Sequence, residues 1–251
     1  MSDYASESGH FYDAATGEPR YRIVGANGVE RDTTLRDAKK SATRGEPWVP
    51  GTTTITGLIN KPGLNNWSEE QVLLAALTLP RLSDEPEAAW VKRVRLDAKE
   101  QAKKAAQRGT DIHAAIERYY ATGEVDEQYA GQIEVVRGAI GILGEQQWLP
   151  EKSFASSLGY GGKVDLHSAN VVLDFKTKDG SLDSLECYPE HYMQTAAGAH
   201  GLNIPGATCG IVFVRRDAPE ARLIVHEADE TRWGWEMFEA LLRFWKVKNR
   251  I

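Results

Sequence analysis

Between residues 151 and 178 the chain carries three short apolar segments in succession, EKSFASSL, GYGGKVDLHS and NVVLDFKTK, the second opening on glycine and the third on asparagine. Segments of this length, bounded by turn formers, read as strands. Three strands in a row pair into a sheet, and the apolar face of a sheet has to be covered. Helical patterns upstream supply that cover, at Asn66–Leu79, at Glu87–Gln107 running past Gly109 into TDIHAAIERYYATG, and at Asp126–Gln147. Downstream, YPEHYMQTAAGAHGL reads as a helix and ATCGIVFVRR and ARLIVHEA as two more strands. The last element, DETRWGWEMFEALLRFWKVKN, is an amphipathic helix whose Trp/Phe/Leu stripe is core packing. The fold class that follows is α/β, a mixed β-sheet flanked by α-helices with a helical N-terminal elaboration.

A chain of 251 residues is long enough for one elaborated domain of this kind. Residues 1–48 are polar, with one short alternating piece, YRIVGANG, that predicts a small hairpin turning at Asn27-Gly28. They read as a loosely packed arm. Residues 49–251 then form a single domain, with a helical part at 64–148, a sheet core at 150–228 and a C-terminal helix at 229–248. The run VPGTTTITGLI is β-branched and favours extended backbone, and KPG breaks it before the first long helix. Trp67, Val72, Leu73, Ala76 and Leu77 make the apolar stripe of that helix.

Composition narrows the function classes. A net charge of −6 argues against a protein that coats nucleic acid by broad electrostatics, though not against an enzyme with its basic residues gathered in one groove. No apolar run is long enough to cross a bilayer, and MSDYASESGHFYDAATGEPR lacks the basic start and apolar core of a signal peptide, so a cytoplasmic protein without membrane contact is expected. Cys187 and Cys209 stand 22 residues apart with no CxxC pairing, which predicts two buried thiols and neither a zinc ribbon nor an iron–sulfur cluster.

The chemistry concentrates in the second and third strands. In NVVLDFKTK alternation sends Leu173, Phe175 and Thr177 to one face and Asp174, Lys176 and Lys178 to the other. If GGKVDL pairs with that strand, Asp165 comes beside Asp174, and two carboxylates held close repel unless a cation sits between them. Mg²⁺ or Mn²⁺ suits such a site, because both prefer oxygen ligands and keep several waters. Lys176 can then orient a water or offset charge in a transition state. The plain alternative is a surface hairpin with ordinary alternating charges. In the long helix, VKRVRLDAKEQAKKAAQR is locally basic and reads either as a solvated face or as a phosphate-facing surface.

The string GYGGKVD…VVLDFKTK resembles the core of the PD-(D/E)XK nucleases, in particular the RecB-type branch that includes phage exonucleases and the mitochondrial genome-maintenance exonuclease. Upstream, RGTDIHAAIE at 108–117 is similar to that branch's helical motif. The resemblance implies that His113 ligates the metal from the helix and that Glu117, one turn on, reaches it through water. Downstream, Gln194 matches the glutamine of a Q-x-x-x-Y motif, but Gly198 stands where that motif has tyrosine, with Tyr192 and Tyr188 as candidate replacements. VPGTTTITGLINKPGLNNW is similar to a segment that opens many phage members, and Glu151 matches an acidic residue some relatives carry before the first strand. Together these likenesses span Val49 to Arg215.

What the resemblance implies is a Mg²⁺- or Mn²⁺-dependent DNA exonuclease, phage-encoded or prophage-derived, acting in recombination, replication or repair. His113, Asp165, Asp174 and the Phe175 carbonyl would hold the metal, Lys176 would position the attacking water, and Gln194 would order Lys176 or the scissile phosphate. Lys99, Lys103, Lys104, Arg108 and Lys178 would contact DNA, and a phage recombinase or single-strand-binding protein is the expected protein partner. Two other readings stay open, an endonuclease of the same fold and a DNA-binding adaptor that kept the fold without turnover.

Overall fold

A computed structural model describes residues 9–25 and 28–251, apart from the Pro62 side chain. The chain falls into two compact units, one made of residues up to Leu58 with Ala115–Ile251, the other of Ile59–Ala114. In chain order the elements are β1 (Phe11–Asp13), β2 (Arg22–Val24), β3 (Glu30–Asp32), α1 (Leu35–Thr43), β4 (Trp48–Pro50) and α2 (Thr52–Thr56). Next come α3 (Pro62–Thr78), α4 (Glu87–Thr122), α5 (Ala130–Ile140), β5 (Leu149–Ser156), β6 (Tyr160–His167) and β7 (Val171–Lys178). The chain closes with α6 (Pro189–Gly201), β8 (Thr208–Arg215), β9 (Ala221–Val225) and α7 (Ala228–Asn249).

The larger unit is built on a five-stranded sheet in the order β5-β6-β7-β8-β9. All neighbours are antiparallel except β7 and β8, which run parallel. A parallel pair cannot be joined by a tight turn, so the chain crosses over one face, and α6 is that crossover. Val171 to Phe175 are all buried, as a central strand covered on both faces requires. The sheet is mixed and flanked by helices, the α/β architecture the strand pattern predicts. Among the described residues no helix is long and apolar enough to cross a membrane.

Helix α6 lies very close to the sheet. Tyr160 Oη donates to the Ala197 carbonyl at 3.0 Å, and a Cβ on Gly198 would stand 2.8 Å from Val164 Cγ2. On its other side α6 meets α7 through Gly234, where a Cβ would lie 2.5 Å from the Tyr192 backbone. Phe238, Leu242 and Trp245 carry the buried stripe of α7, while Trp233, Phe244 and Val247 of the same helix face outward.

The N-terminal stretch departs from the loose arm its polarity predicts. Strand β1 pairs with β4, Phe11 and Tyr12 are buried, and Tyr12 rests on β6 where a Cβ at Gly161 would come within 2.6 Å of it. Gly162 faces the other way, against Phe154 and Thr52. The paired glycines of GYGGKVD therefore admit a neighbour on each face of the strand. Polarity misleads here because two aromatic residues anchor the segment. Strands β2 and β3 form the expected hairpin, but Asn27 of its predicted turn lies outside the described residues. Helix α1 opens with a capping box from Thr34 and Asp37, and Arg31 adds bonds of 2.7 and 2.8 Å to Asp37. The guanidinium, against the effect of burial, holds the Asp37 carboxyl well below the usual carboxylate range.

Two further sequence expectations change here. The β-branched run after Pro50 is not extended, since Gly51 caps the short helix α2 and Thr52 Oγ1 donates to the Gly161 carbonyl at 3.1 Å. The helix expected at 126–147 is shorter, because Asp126 caps a tight turn before it and Gly144, at φ 77°, lies beyond its end.

In the smaller unit α3 packs on the first part of α4 through Ala75, Val94 and Ala98, with Leu79 and Trp90 beside them. Trp90 Nε1 donates to the Leu79 carbonyl at 2.7 Å, and Arg93 binds Glu85 and the Pro80 carbonyl across the connection. The apolar stripe predicted for α3 is mostly not buried, for Leu73 and Leu77 are 65% and 80% exposed. Residues 72–77, VLLAAL, are apolar at every position, and one helix face cannot hide them all.

Candidate active site

Strand β7 delivers Asp174 to the face under α6, where it is 5% exposed. A buried carboxylate needs compensation, and two side chains give it. Lys176 Nζ lies 2.6 Å from Asp174 Oδ2, and Gln194 Nε2 donates to Asp174 Oδ1 at 2.5 Å. Lys176 also donates to Gln194 Oε1 at 3.1 Å, which closes a ring of carboxylate, ammonium and carboxamide. An uncharged carboxamide can donate to the anion and accept from the cation at once, so the choice of glutamine follows from its two neighbours. Burial works to lower the Lys176 pKa, yet the charges of Asp174 and Asp165 outweigh it and hold the ammonium above the ordinary lysine value. The Lys176 side chain keeps about a third of its surface exposed (32%), so the cation still reaches solvent.

Asp165 is half-buried, and its Oδ2 accepts the Phe175 backbone N–H at 2.8 Å. That carboxylate contact falls where the strand ladder gives out. Leu166 pairs with Leu173 and His167 with Val172, but no pairing continues to Asp165 and Asp174. On its other edge β6 pairs Leu166 with Pro150 and Val164 with Lys152, again passing over Asp165. The residue opposite it there is Glu151, held at φ 54° in the left-handed region. Val164 and Val172 both touch the Gly198 position beneath α6, although the register pairs His167 with Val172. The in-out alternation of β6 is therefore broken at Asp165, a local irregularity of the kind that re-aims a side chain.

Glu151 itself forms an ion pair with Lys163. Lys163 stands two residues before Asp165 within the GGKVD string, and nothing in that motif singles it out. A second residue that the sequence hides is His226, buried after β9, with Nδ1 3.3 Å from Thr195 Oγ1 and its ring 4.5 Å from that of Tyr192. Burial pushes its pKa down to about 4 against the pull of Glu230 and Asp174. Only packing reveals it, since no motif surrounds it.

Gly198 answers the question of the missing tyrosine. With a Cβ already in conflict with Val164, no larger side chain fits there. Of the two candidate replacements, Tyr192 donates its hydroxyl to Glu230 at 3.2 Å and Tyr188 is exposed at the start of α6.

His113 and Glu117 are half-buried one turn apart on α4; His113 belongs to the smaller unit, whereas Asp165, Asp174, Lys176 and Gln194 belong to the sheet unit. Lys99, Lys103, Lys104 and Arg108 are exposed on α4, with Lys104 3.2 Å from Glu100, and Lys178 is half-buried at the end of β7. Among the described residues no three His, Cys, Asp or Glu side chains gather within reach of one metal ion. The oxygens at hand are those of Asp165 and Asp174, a hard donor pair whose need for positive charge Lys176 already expresses. Carboxylate oxygens are the donor type that Mg²⁺ and Mn²⁺ prefer over a soft metal, and here both Asp174 oxygens are taken up by Lys176 and Gln194.

No protein-family model matches the chain, and no curated protein matches it. Among solved structures it is similar to a “Putative exonuclease” from Eubacterium rectale, with 12% identity and a TM-score of 0.42 over 57% of this chain and 68% of that one. It is also similar to SSO0001, with 13% identity and a TM-score of 0.32 over 72% of this chain and 86% of that one.

Proposed function

We propose that the protein is a phosphodiester hydrolase acting on DNA, an exonuclease of the RecB-type PD-(D/E)XK class. The observation that carries this reading is the closed ring of Asp174, Lys176 and Gln194, with Asp165 fixed against the next residue of the same strand. Asp165, Asp174 and the Phe175 carbonyl, all of the sheet unit, would hold Mg²⁺ or Mn²⁺. Once bound, the ion would acidify a water and neutralise charge on the phosphoryl group.

The chain's own residues do the rest. Lys176, kept protonated by two carboxylates, donates hydrogen bonds to the phosphate oxygens or holds the lone pair of the incoming water. Gln194 fixes the direction of the lysine by accepting from it, and fixes Asp174 by donating to it. Lys103, Lys104 and Arg108, exposed on α4 beyond its groove with α3, would follow the phosphate backbone, with an affinity that falls as salt rises.

End-labelled linear DNA compared with covalently closed circles tests the reading. In the presence of Mg²⁺ or Mn²⁺ the linear DNA is shortened from its ends and the circles survive. Circles that are cut would make the protein an endonuclease of the same fold, and DNA binding without any cleavage would make it an adaptor. Asp174→Asn abolishes cleavage in folded protein, and Lys176→Ala loses most turnover while DNA binding persists. A Lys176→Ala protein cutting at the parental rate would remove the assignment.

A further inference from the structure

The smaller unit shows more apolar surface than two helices can bury. Leu64, Val72, Leu73, Leu74 and Leu77 of α3 and Val91 and Leu96 of α4 are all exposed, some by more than half. Soluble chains seldom leave such a patch to water unless something covers it. Beside this patch runs a groove of about 600 Å³, with Val72 on the α3 side and Ala88, Val91 and Ala102 on the α4 side. Its rim carries Lys92, Arg95 and Lys99, and none of its lining residues is acidic. The groove therefore suits a ridge that is apolar in the middle and negative at its edge.

This chain carries such a ridge. On the outer side of α3, Leu73 and Leu77 lie one turn apart, and Glu69 and Glu70 precede Leu73 by about one turn. Helix α3 contains no lysine or arginine at all between Pro62 and Thr78. We propose that the occupant is a second copy of the chain, with Leu73 and Leu77 of each protomer seated in the other's groove and Glu69 and Glu70 meeting the partner's basic rim. Because each protomer offers both ridge and groove, the pairing closes on itself as a two-fold dimer and completes a four-helix layer from two hairpins. The charge pattern selects this occupant over nucleic acid, since DNA supplies negative charge but no apolar ridge.

Sedimentation velocity on the full chain across a concentration series, without DNA, provides the test. The expected result is a dimer that dissociates on dilution. Leu73→Glu with Leu77→Glu weakens association by more than about a hundredfold, because two buried leucines are lost and two charges are forced into the groove. Circular dichroism checks the fold, and as both side chains are exposed in the protomer the helices persist. A second pair is independent of apolar burial. Arg95→Glu weakens the dimer, and an equimolar mixture of Arg95→Glu with Glu69→Arg/Glu70→Arg protein recovers association through opposite charges. A parent chain that stays monomeric throughout the series, or a dimer unmoved by the leucine pair and the charge exchange, overturns the proposal. Neither outcome bears on the nuclease reading, which the DNA digestion decides separately.

Discussion

Gly198 shows how one residue can depart from a motif and still explain itself. The position that the Q-x-x-x-Y pattern gives to a large side chain is here pressed against Val164, with no space for even one carbon. Alanine in mid-helix is ordinarily favourable relative to glycine by up to ~1 kcal/mol. At this position overpacking outweighs that gain, and Gly198→Ala lowers stability by about 1–3 kcal/mol in denaturant titration. Combined with Val164→Ala, which clears the obstructing methyl, the loss is smaller than the sum of the two single changes. An additive pair would mean that Val164 is not the obstacle. His226 is the other residue with a measurable signature. Its folded pKa of about 4 lies below the 6.5 of an unfolded histidine, so the unfolded chain binds the proton first as pH falls. Stability from this group is complete above pH 6.5 and drains away toward pH 4, by at most about 3 kcal/mol. His226→Gln, which keeps a polar atom near Thr195, flattens the acid limb of the stability profile; an unchanged limb would assign acid sensitivity elsewhere.

At the level of elements, the five strands of the large sheet were legible because each is a short apolar run ending at a turn former. Asp174 and Lys176 were legible for the same reason, since period-two alternation places them on one face without knowledge of the fold. Alternation fails at Asp165, where the ladder lapses beside the left-handed Glu151, and no sequence rule announces that break. The meaning of α3 was also hidden. Its pattern is apolar enough to read as buried, but burial depends on how many partners surround a helix, and α3 has one small contact through Ala75. The glycine pair of β6 was visible as a motif, yet its causes lie outside the motif, Tyr12 against Gly161 and Thr52 with Phe154 against Gly162.

Across the molecule, the sheet unit is assembled from both ends of the chain. The first described strand clamps β6 from one face while α6 and α7 close the other. Phe11, 1% exposed, is a core residue in a segment that composition marks as dispensable. Phe11→Ala costs about 3–5 kcal/mol in equilibrium unfolding, as for other large-to-small changes in a packed core; a cost near zero would return the segment to the status of an arm. The two glycine contacts of α6 have a consequence for motion. With Gly198 against Val164 of the sheet and Gly234 of α7 against the Tyr192 backbone, α6 is gripped on two sides, and neither glycine contributes a side chain as a spacer. Slipping or tilting this helix requires the neighbours on both sides to part, so local fluctuations have no inexpensive route. Its amide protons from Met193 to Ala199 therefore exchange with solvent only through opening of nearly the whole unit, at the slow limit set by global unfolding. Gln194 rides on this gripped helix, so the same packing that holds α6 holds its bonds to Asp174 and Lys176.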